Sequence, residues 1–364
     1  MKKVAIAAAV AGVFATSATA AELSTFIYQD YALDFGDSST GNSYVGIADA
    51  GSNMVNFNYS DDLGNGLGLI GSFSMTARGA DAGTQGNNAS VASNTNTTEA
   101  QTATGIMNRN SFIGLTGEFG KITFGTHELM NELEAILRNG WDANYQIGGD
   151  ALAITQVYTG AAASGQTGYT ARHSQAIEWT SKDMNGLMFN VGHVEGGAAS
   201  AAVDQSGTEF NVAYTTGALK LSAGGGSHSD WGGTAGDGMD FTRASFTYDA
   251  GVVSVAGTVT TVEYTDASDS NKTYEQAGRH INVTMPTASG RIIANMSGQS
   301  DRRERGVSVA NSGFSGWDVG YMHDASANTK MYIQFNSRSV DAGFDKNQAK
   351  SDTENLLLGM RYVY

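Results

Sequence analysis

The chain has 364 residues, a formal net charge of −15, 47 glycines, no cysteine and a single proline, Pro286. Without cysteine, neither a disulfide framework nor a thiolate metal site is possible, and the acidic balance disfavours nucleic-acid phosphates and anionic solutes while favouring cations. At an average usage of about 5%, a chain of this length would carry roughly eighteen prolines; depletion is expected where every backbone N–H is needed, as in a closed sheet away from water.

The first segment is Lys2 and Lys3, an apolar run from Val4 to Ala15 and the small-residue site Ala18-Thr19-Ala20. That order predicts a secretory signal peptide over residues 1–20, cleaved near Ala20, because the apolar run is too short for a membrane helix. Losing Lys2 and Lys3 leaves 19 basic against 36 acidic residues, a charge of −17 on residues 21–364. No linker divides that remainder, so a single domain is expected.

From residue 23 onward one pattern repeats: about ten residues of alternating polarity, a tight turn, a second such run, then a longer polar loop. This is the signature of a β-hairpin array. Strands are predicted at 23–35, 53–60, 67–75, 108–117, 121–127, 171–180, 187–195, 208–215, 219–227, 240–248, 252–261, 278–285, 291–299, 314–323, 329–337 and 355–364. The count is sixteen, and bacterial single-chain barrels have even counts. Tight turns such as Asp61 to Gly66, Gly117 to Gly120 and Asp183 to Gly186 carry the Gly, Asn and Asp residues that hairpins require.

Alternation places one residue set on each face. Leu356, Leu358, Met360, Tyr362 and Tyr364 oppose Leu357, Gly359, Arg361 and Val363; Ala244, Phe246 and Tyr248 oppose Arg243, Ser245 and Thr247; Trp317, Val319 and Tyr321 oppose Asp318 and Gly320. One face suits hydrocarbon and the other water, so the expected fold is an all-β transmembrane barrel of 16 antiparallel strands. A soluble β-sandwich alternates as well, but the proline depletion, the short-turn and long-loop rhythm and the terminal aromatic together weigh against it.

Three stretches carry a family resemblance. Arg109-Asn110-Ser111-Phe112-Ile113-Gly114-Leu115 through Gly125 resembles the fourth and fifth strands of the general Gram-negative porins, Asp61 to Leu67 their second-to-third-strand turn, and Gly359-Met360-Arg361-Tyr362-Val363-Tyr364 their closing strand. The resemblance implies an outer-membrane homotrimer of sixteen-stranded barrels. It also implies a third external loop, here residues 128–170, folded into the lumen as a constriction. The family usually ends on phenylalanine; here Tyr362 and the terminal Tyr364 supply the aromatic signal that the barrel assembly machinery is expected to read.

Within that loop stand Glu128, Glu132, Glu134, Asp142 and Asp150 against one basic residue, Arg138. Leu129, Leu133, Ile136 and Leu137 recur at helical spacing, which predicts a short helix. Carboxylates at a constriction act through a focused field that concentrates cations; the plainer alternative is an acidic surface loop. Opposite the loop the family carries wall arginines. Arg109 and Arg172 match its basic positions, and parity turns Arg243, Arg291 and Arg361 inward, each alternatively a lumen residue paired with a nearby acid. The second strand, Asn53 to Ser60, has no basic residue, which predicts a stronger cation preference.

The polar loop Thr76 to Thr104 is expected to latch a neighbouring subunit or to vary freely at the surface. The run Asp301-Arg302-Arg303-Glu304-Arg305 reads as a solvated charged loop or a contact for lipopolysaccharide phosphates. Six histidines, His127, His173, His193, His228, His280 and His323, stand singly without ligand spacing, so no metal site or cofactor is expected. There is no G-x-S-x-G elbow and no phosphate loop, so no enzyme is expected.

The expected function is passive diffusion of small hydrophilic solutes and ions through the outer membrane. Two alternatives remain open. A solute-specific porin would use an aromatic slide, for which only Trp141 and Tyr145 qualify; an adhesin or phage receptor would use the long loops.

Overall fold

The computed structural model describes residues 22–38, 43–49, 53–76, 107–128, 141, 156–157, 167–168, 172–196, 205–230, 235–267, 272–341 and 352–364. Residues 1–20 lie outside this set. So do residues 77–104 of the predicted polar loop and Glu132, Glu134, Arg138, Asp142, Tyr145 and Asp150, together with the predicted helix.

Sixteen staves form the barrel. They are β1 (Glu22–Ser38), β2 (Ser43–Asp49 continued by Met54–Gly64), β3 (Leu67–Thr76), β4 (Met107–Gly117), β5 (Gly120–Glu128), β6 (Arg172–Thr180), β7 (Leu187–Gly196) and β8 (Gln205–Thr216). The second half comprises β9 (Leu219–Ser229), β10 (Gly238–Asp249), β11 (Ser254–Asp266), β12 (Lys272–Thr287), β13 (Gly290–Gln299), β14 (Phe314–Asp324), β15 (Thr329–Val340) and β16 (Thr353–Val363). Each pairs antiparallel with its predecessor, and no α-helix occurs among the described residues.

Closure is made by β1 and β16, in register from Tyr28 opposite Val363 to Ser38 opposite Thr353. The seam ends in two reciprocal 2.9 Å bonds between the backbones of Ile27 and Tyr364. A closed sheet has no free edge, which is the condition for burying strands in lipid.

The short turns form for local reasons. Asn65 and Gly66 both have positive φ, 53° and 75°, as a two-residue hairpin of this hand demands. Asp62, Asp183 and Asp249 accept hydrogen bonds from the backbone N–H of Gly64, Gly186 and Gly251 at 2.8, 2.6 and 2.8 Å, so each aspartate holds its own turn. Pro286 lies one residue before the end of β12, where strand meets turn.

The barrel is inside-out relative to a soluble domain. Buried residues are mostly polar, among them Asp30, Glu178, Asn190, Glu209, Arg243, Asn282, Asn295, Asp318, Gln334 and Arg361. Phe210, Phe246, Val259, Ile281, Trp317, Ile333, Leu358 and Met360 are exposed on the outer face, the surface lipid covers. Trp179, Tyr214, Tyr248, Tyr321 and Tyr362 stand on that face near the short turns or the seam, as an interfacial girdle should. One member ties two turns together: the indole N–H of Trp179 donates to the carbonyl of Phe119 at 2.9 Å.

Candidate pore lining

The inner wall carries a continuous polar belt. In β16 and β1, Nε and Nη2 of Arg361 donate to Oδ2 of Asp30 at 2.9 and 2.8 Å, and the hydroxyl of Tyr332 from β15 donates to the other carboxylate oxygen at 2.7 Å. The rings of Tyr28 and Tyr332 lie 5.3 and 6.0 Å from the guanidinium, close enough for cation–π attraction. A buried charge is tolerated only with such compensation.

Trp141 continues the belt. It stands edge-on to Tyr332 with ring centroids 5.8 Å apart, and its indole N–H donates to Oδ1 of Asp318 in β14 at 2.6 Å. The same oxygen accepts from Nδ2 of Asn295 in β13 at 2.9 Å. Oδ1 of Asn295 in turn accepts from Nδ2 of Asn282 in β12 at 2.9 Å and lies 3.2 Å from Nε2 of His280. Beneath the indole the wall is bare: a Cβ on Gly320 would come within 2.7 Å of Cη2 of Trp141. Trp141 is 0% exposed.

Among the sequence-predicted arginines, Arg361 is thus an ion-paired wall residue. Arg243 in β10 is buried, with Nε donating to Oγ1 of Thr260 in β11 at 3.3 Å and its guanidinium 5.9 Å from the Phe241 ring. Arg291 shares the inner face of β13 with Ile293 and Asn295, its Nη2 3.3 Å from Sδ of Met322. Glu128 and Arg172 are direct Cα partners at the loop ends of β5 and β6. Arg109 falls where the β3–β4 register slips, between Met75 opposite Asn108 and Phe73 opposite Ser111. The side chains of Glu128, Arg109 and Arg172 are outside the described set. Tyr362 and Tyr364 point outward and are exposed.

Two other groupings had no signal in residue spacing. On β6, β8 and β9, Nε2 of His173 and Nε2 of His228 lie 3.3 and 2.8 Å from Oε1 of Glu209, all three side chains buried. On β6 and β7, Nδ2 of Asn190 donates to Oε1 of Glu178, and to Oγ1 of Thr180 at 3.1 Å. Parity could have turned Glu209 and Glu178 inward, but cross-strand register alone brings the partners to them.

The charged run after β13 is folded back on the barrel. Arg303 and Glu304 form a short ladder with Val307 and Ser308 and pair with Glu275 and Tyr274 at the loop end of β12. Arg302 is 2% exposed, its Nε and Nη2 donating to Oε1 of Glu304 at 3.0 and 2.7 Å, while Nζ of Lys272 sits 2.7 Å from Oε2. Arg302 is therefore an internal strut, and Arg303 and Arg305 are the exposed members of the run.

A closed sheet with an apolar outer face, an aromatic girdle and a polar, hydrogen-bonded inner face defines a transmembrane β-barrel of the channel-forming class. Its family follows from sequence: the chain belongs to the Gram-negative porins, whose family model matches residues 5–343, and is thereby an outer-membrane diffusion channel of a non-enzymatic family. The fold agrees. An anion-selective porin from Comamonas acidovorans matches with a TM-score of 0.68 at 17% identity, covering 95% of this chain and 100% of its own. OmpT of Vibrio cholerae in its trimer form matches at 0.65 and 15%, covering 95% and 100%. OmpF of Salmonella typhi in complex with daunomycin matches at 0.63 and 13%, covering 94% and 97%. No curated protein sequence matches the chain.

Proposed function

We propose that this porin is a homotrimeric general diffusion channel that prefers cations, exported by a signal peptide over residues 1–20, with the segment 128–170 folded inward as its constriction. Trp141 carries this reading. It belongs to the acidic segment, yet its indole is fully buried and hydrogen-bonded to Asp318 on the inner face, which supports an inward course for that segment. Carboxylates held there, Glu128, Glu132, Glu134, Asp142 and Asp150, would act by field, with Arg109 and Arg172 as the nearest basic candidates.

The charge of the chain supports the cation preference. The anion selectivity of the Comamonas acidovorans porin does not transfer at 17% identity, because selectivity belongs to side chains in the lumen rather than to the barrel that carries them. Trp141 also bears on the solute-specific alternative: fully buried, it offers no free ring face for a sugar to slide on, which favours the general channel. Trimer formation rests on the assembly form of the Vibrio cholerae relative. Tyr362 and Tyr364, exposed at the seam, are our candidates for the signal read by the assembly machinery, and the exposed Arg303 and Arg305 our candidates for contact with lipopolysaccharide.

The test is reversal potential across a planar bilayer in a salt gradient. Wild-type protein should give a cation-favouring sign, and the triple change Glu132→Gln, Glu134→Gln, Asp142→Asn should move it toward zero. An anion-favouring wild type would refute the charge reading while leaving the barrel intact.

A further inference from the structure

The grouping on β6, β8 and β9 has the chemistry of a metal site. Its donor atoms, one each from His173, Glu209 and His228, all lie within 4.8 Å of one another. The two imidazoles are nearly parallel, with centroids 5.1 Å apart and planes 13° apart, so both present Nε2 to the same carboxylate oxygen. Two imidazoles and a carboxylate, leaving open coordination positions, form a ligand set suited to Zn²⁺ and neighbouring late first-row divalent ions.

The wall is shaped to hold these side chains. Gly207 is the Cα partner of His228, and a Cβ there would stand 2.0 Å from Nδ1 of His228. Gly226 is the partner of Glu209, and a Cβ there would stand 2.7 Å from its Cγ. Each of these two ligands therefore lies over a cross-strand glycine that leaves it room. His173 is the second residue of β6 and His228 the penultimate residue of β9, so the group sits at the loop ends of its strands, on the external side.

We propose that His173, Glu209 and His228 bind one divalent cation of the Zn²⁺ class per chain, and that its occupancy reduces cation flux through the lumen. The ion takes over from the imidazole N–H groups the task of compensating the buried carboxylate. Two added positive charges on the inner wall raise the local potential that a permeating cation meets.

The experiment uses the intact barrel in detergent and in bilayers, with ZnCl₂ and CuCl₂ as probes. Calorimetric titration should give one Zn²⁺ per chain, and the Cu²⁺ spin-resonance spectrum should show splitting from imidazole nitrogen. Zn²⁺ on the external side should lower single-channel conductance in wild type. His228→Gln should weaken binding by at least about the 10- to 100-fold that loss of even an outer-shell partner costs and remove the conductance effect, and Gly207→Ala should do the same without deleting a ligand. His193→Ala, at an exposed histidine elsewhere, should change nothing. The proposal is overturned if wild type binds no Zn²⁺ stoichiometrically, if Cu²⁺ shows no nitrogen ligation, or if folded His228→Gln binds as wild type does. The wild-type arms decide the matter even if a variant fails to assemble.

Discussion

Arg361 and Asp30 face each other across the seam that closes the barrel, the guanidinium donating from Nε and Nη2 to one carboxylate oxygen at 2.9 and 2.8 Å. The residues are 331 positions apart in the chain and direct partners in the ladder. The pair thus joins the last stave to the first at the step that completes the cylinder.

Removing one member strands the other in a buried setting, which costs about 3–5 kcal/mol in the cases where such pairs have been broken. Arg361→Ala or Asp30→Ala should each lower the urea midpoint of barrel unfolding, followed by the gel mobility shift between folded and unfolded forms. The double change Asp30→Asn, Arg361→Met should recover much of the loss, because it leaves no unpaired charge. Equal damage from single and double variants would assign the effect to packing against Tyr28 and Tyr332 instead.

Trp141 predicts a change in conduction. Truncating a buried tryptophan to alanine typically costs about 3–5 kcal/mol, comparable to the free energies that hold local segments closed. On the proposed in-folding of the acidic segment, Trp141→Ala should therefore remove its bond to Asp318 and raise mean single-channel conductance and current noise. Trp141→Phe, which keeps the ring but loses the N–H donor, should fall between. Unchanged conductance in both variants would argue against the tether.

The external hairpin predicts a pH dependence. Burial pushes the Glu304 carboxyl upward, but hydrogen bonds from Lys272 and Arg302 outweigh it and hold the group below the ordinary carboxylate range. A carboxylate lowered in the folded state contributes stability above its unfolded value and loses it as pH falls through the folded one. Amide exchange over residues 300–313 should stay slow from neutral pH down into the ordinary carboxylate range and quicken only below it. Glu304→Gln should abolish that dependence and raise exchange at neutral pH. Acceleration beginning near pH 6 would point to another group.

Strand count, turn positions and the face on which Arg243, Arg291 and Arg361 lie could all be read from the chain, because a strand's period of two is a local property and hairpin turns have local chemistry. Strand lengths could not be read so well. β12 begins at Lys272 rather than near 278, and β2 has an added segment, Ser43–Asp49, laid along β1. The start of β12, Lys272 to Ala277, carries one large apolar side chain, Tyr274, so alternation does not mark it as strand, whereas Ser43–Asp49 does alternate, its Val45 and Ile47 exposed beside Phe35 and Leu33 of β1.

Which inward groups meet was decided by tertiary structure alone. Asp30 with Arg361, Trp141 with Asp318, and His173 and His228 with Glu209 are brought together by closure and cross-strand register, relations between distant segments that no spacing encodes. The residues alone settled which side faces lipid and which faces water. Only the closed barrel decided which charges on the wet side cancel and which pair of histidines shares a carboxylate, because electrostatic outcome depends on distances of a few ångströms between strands.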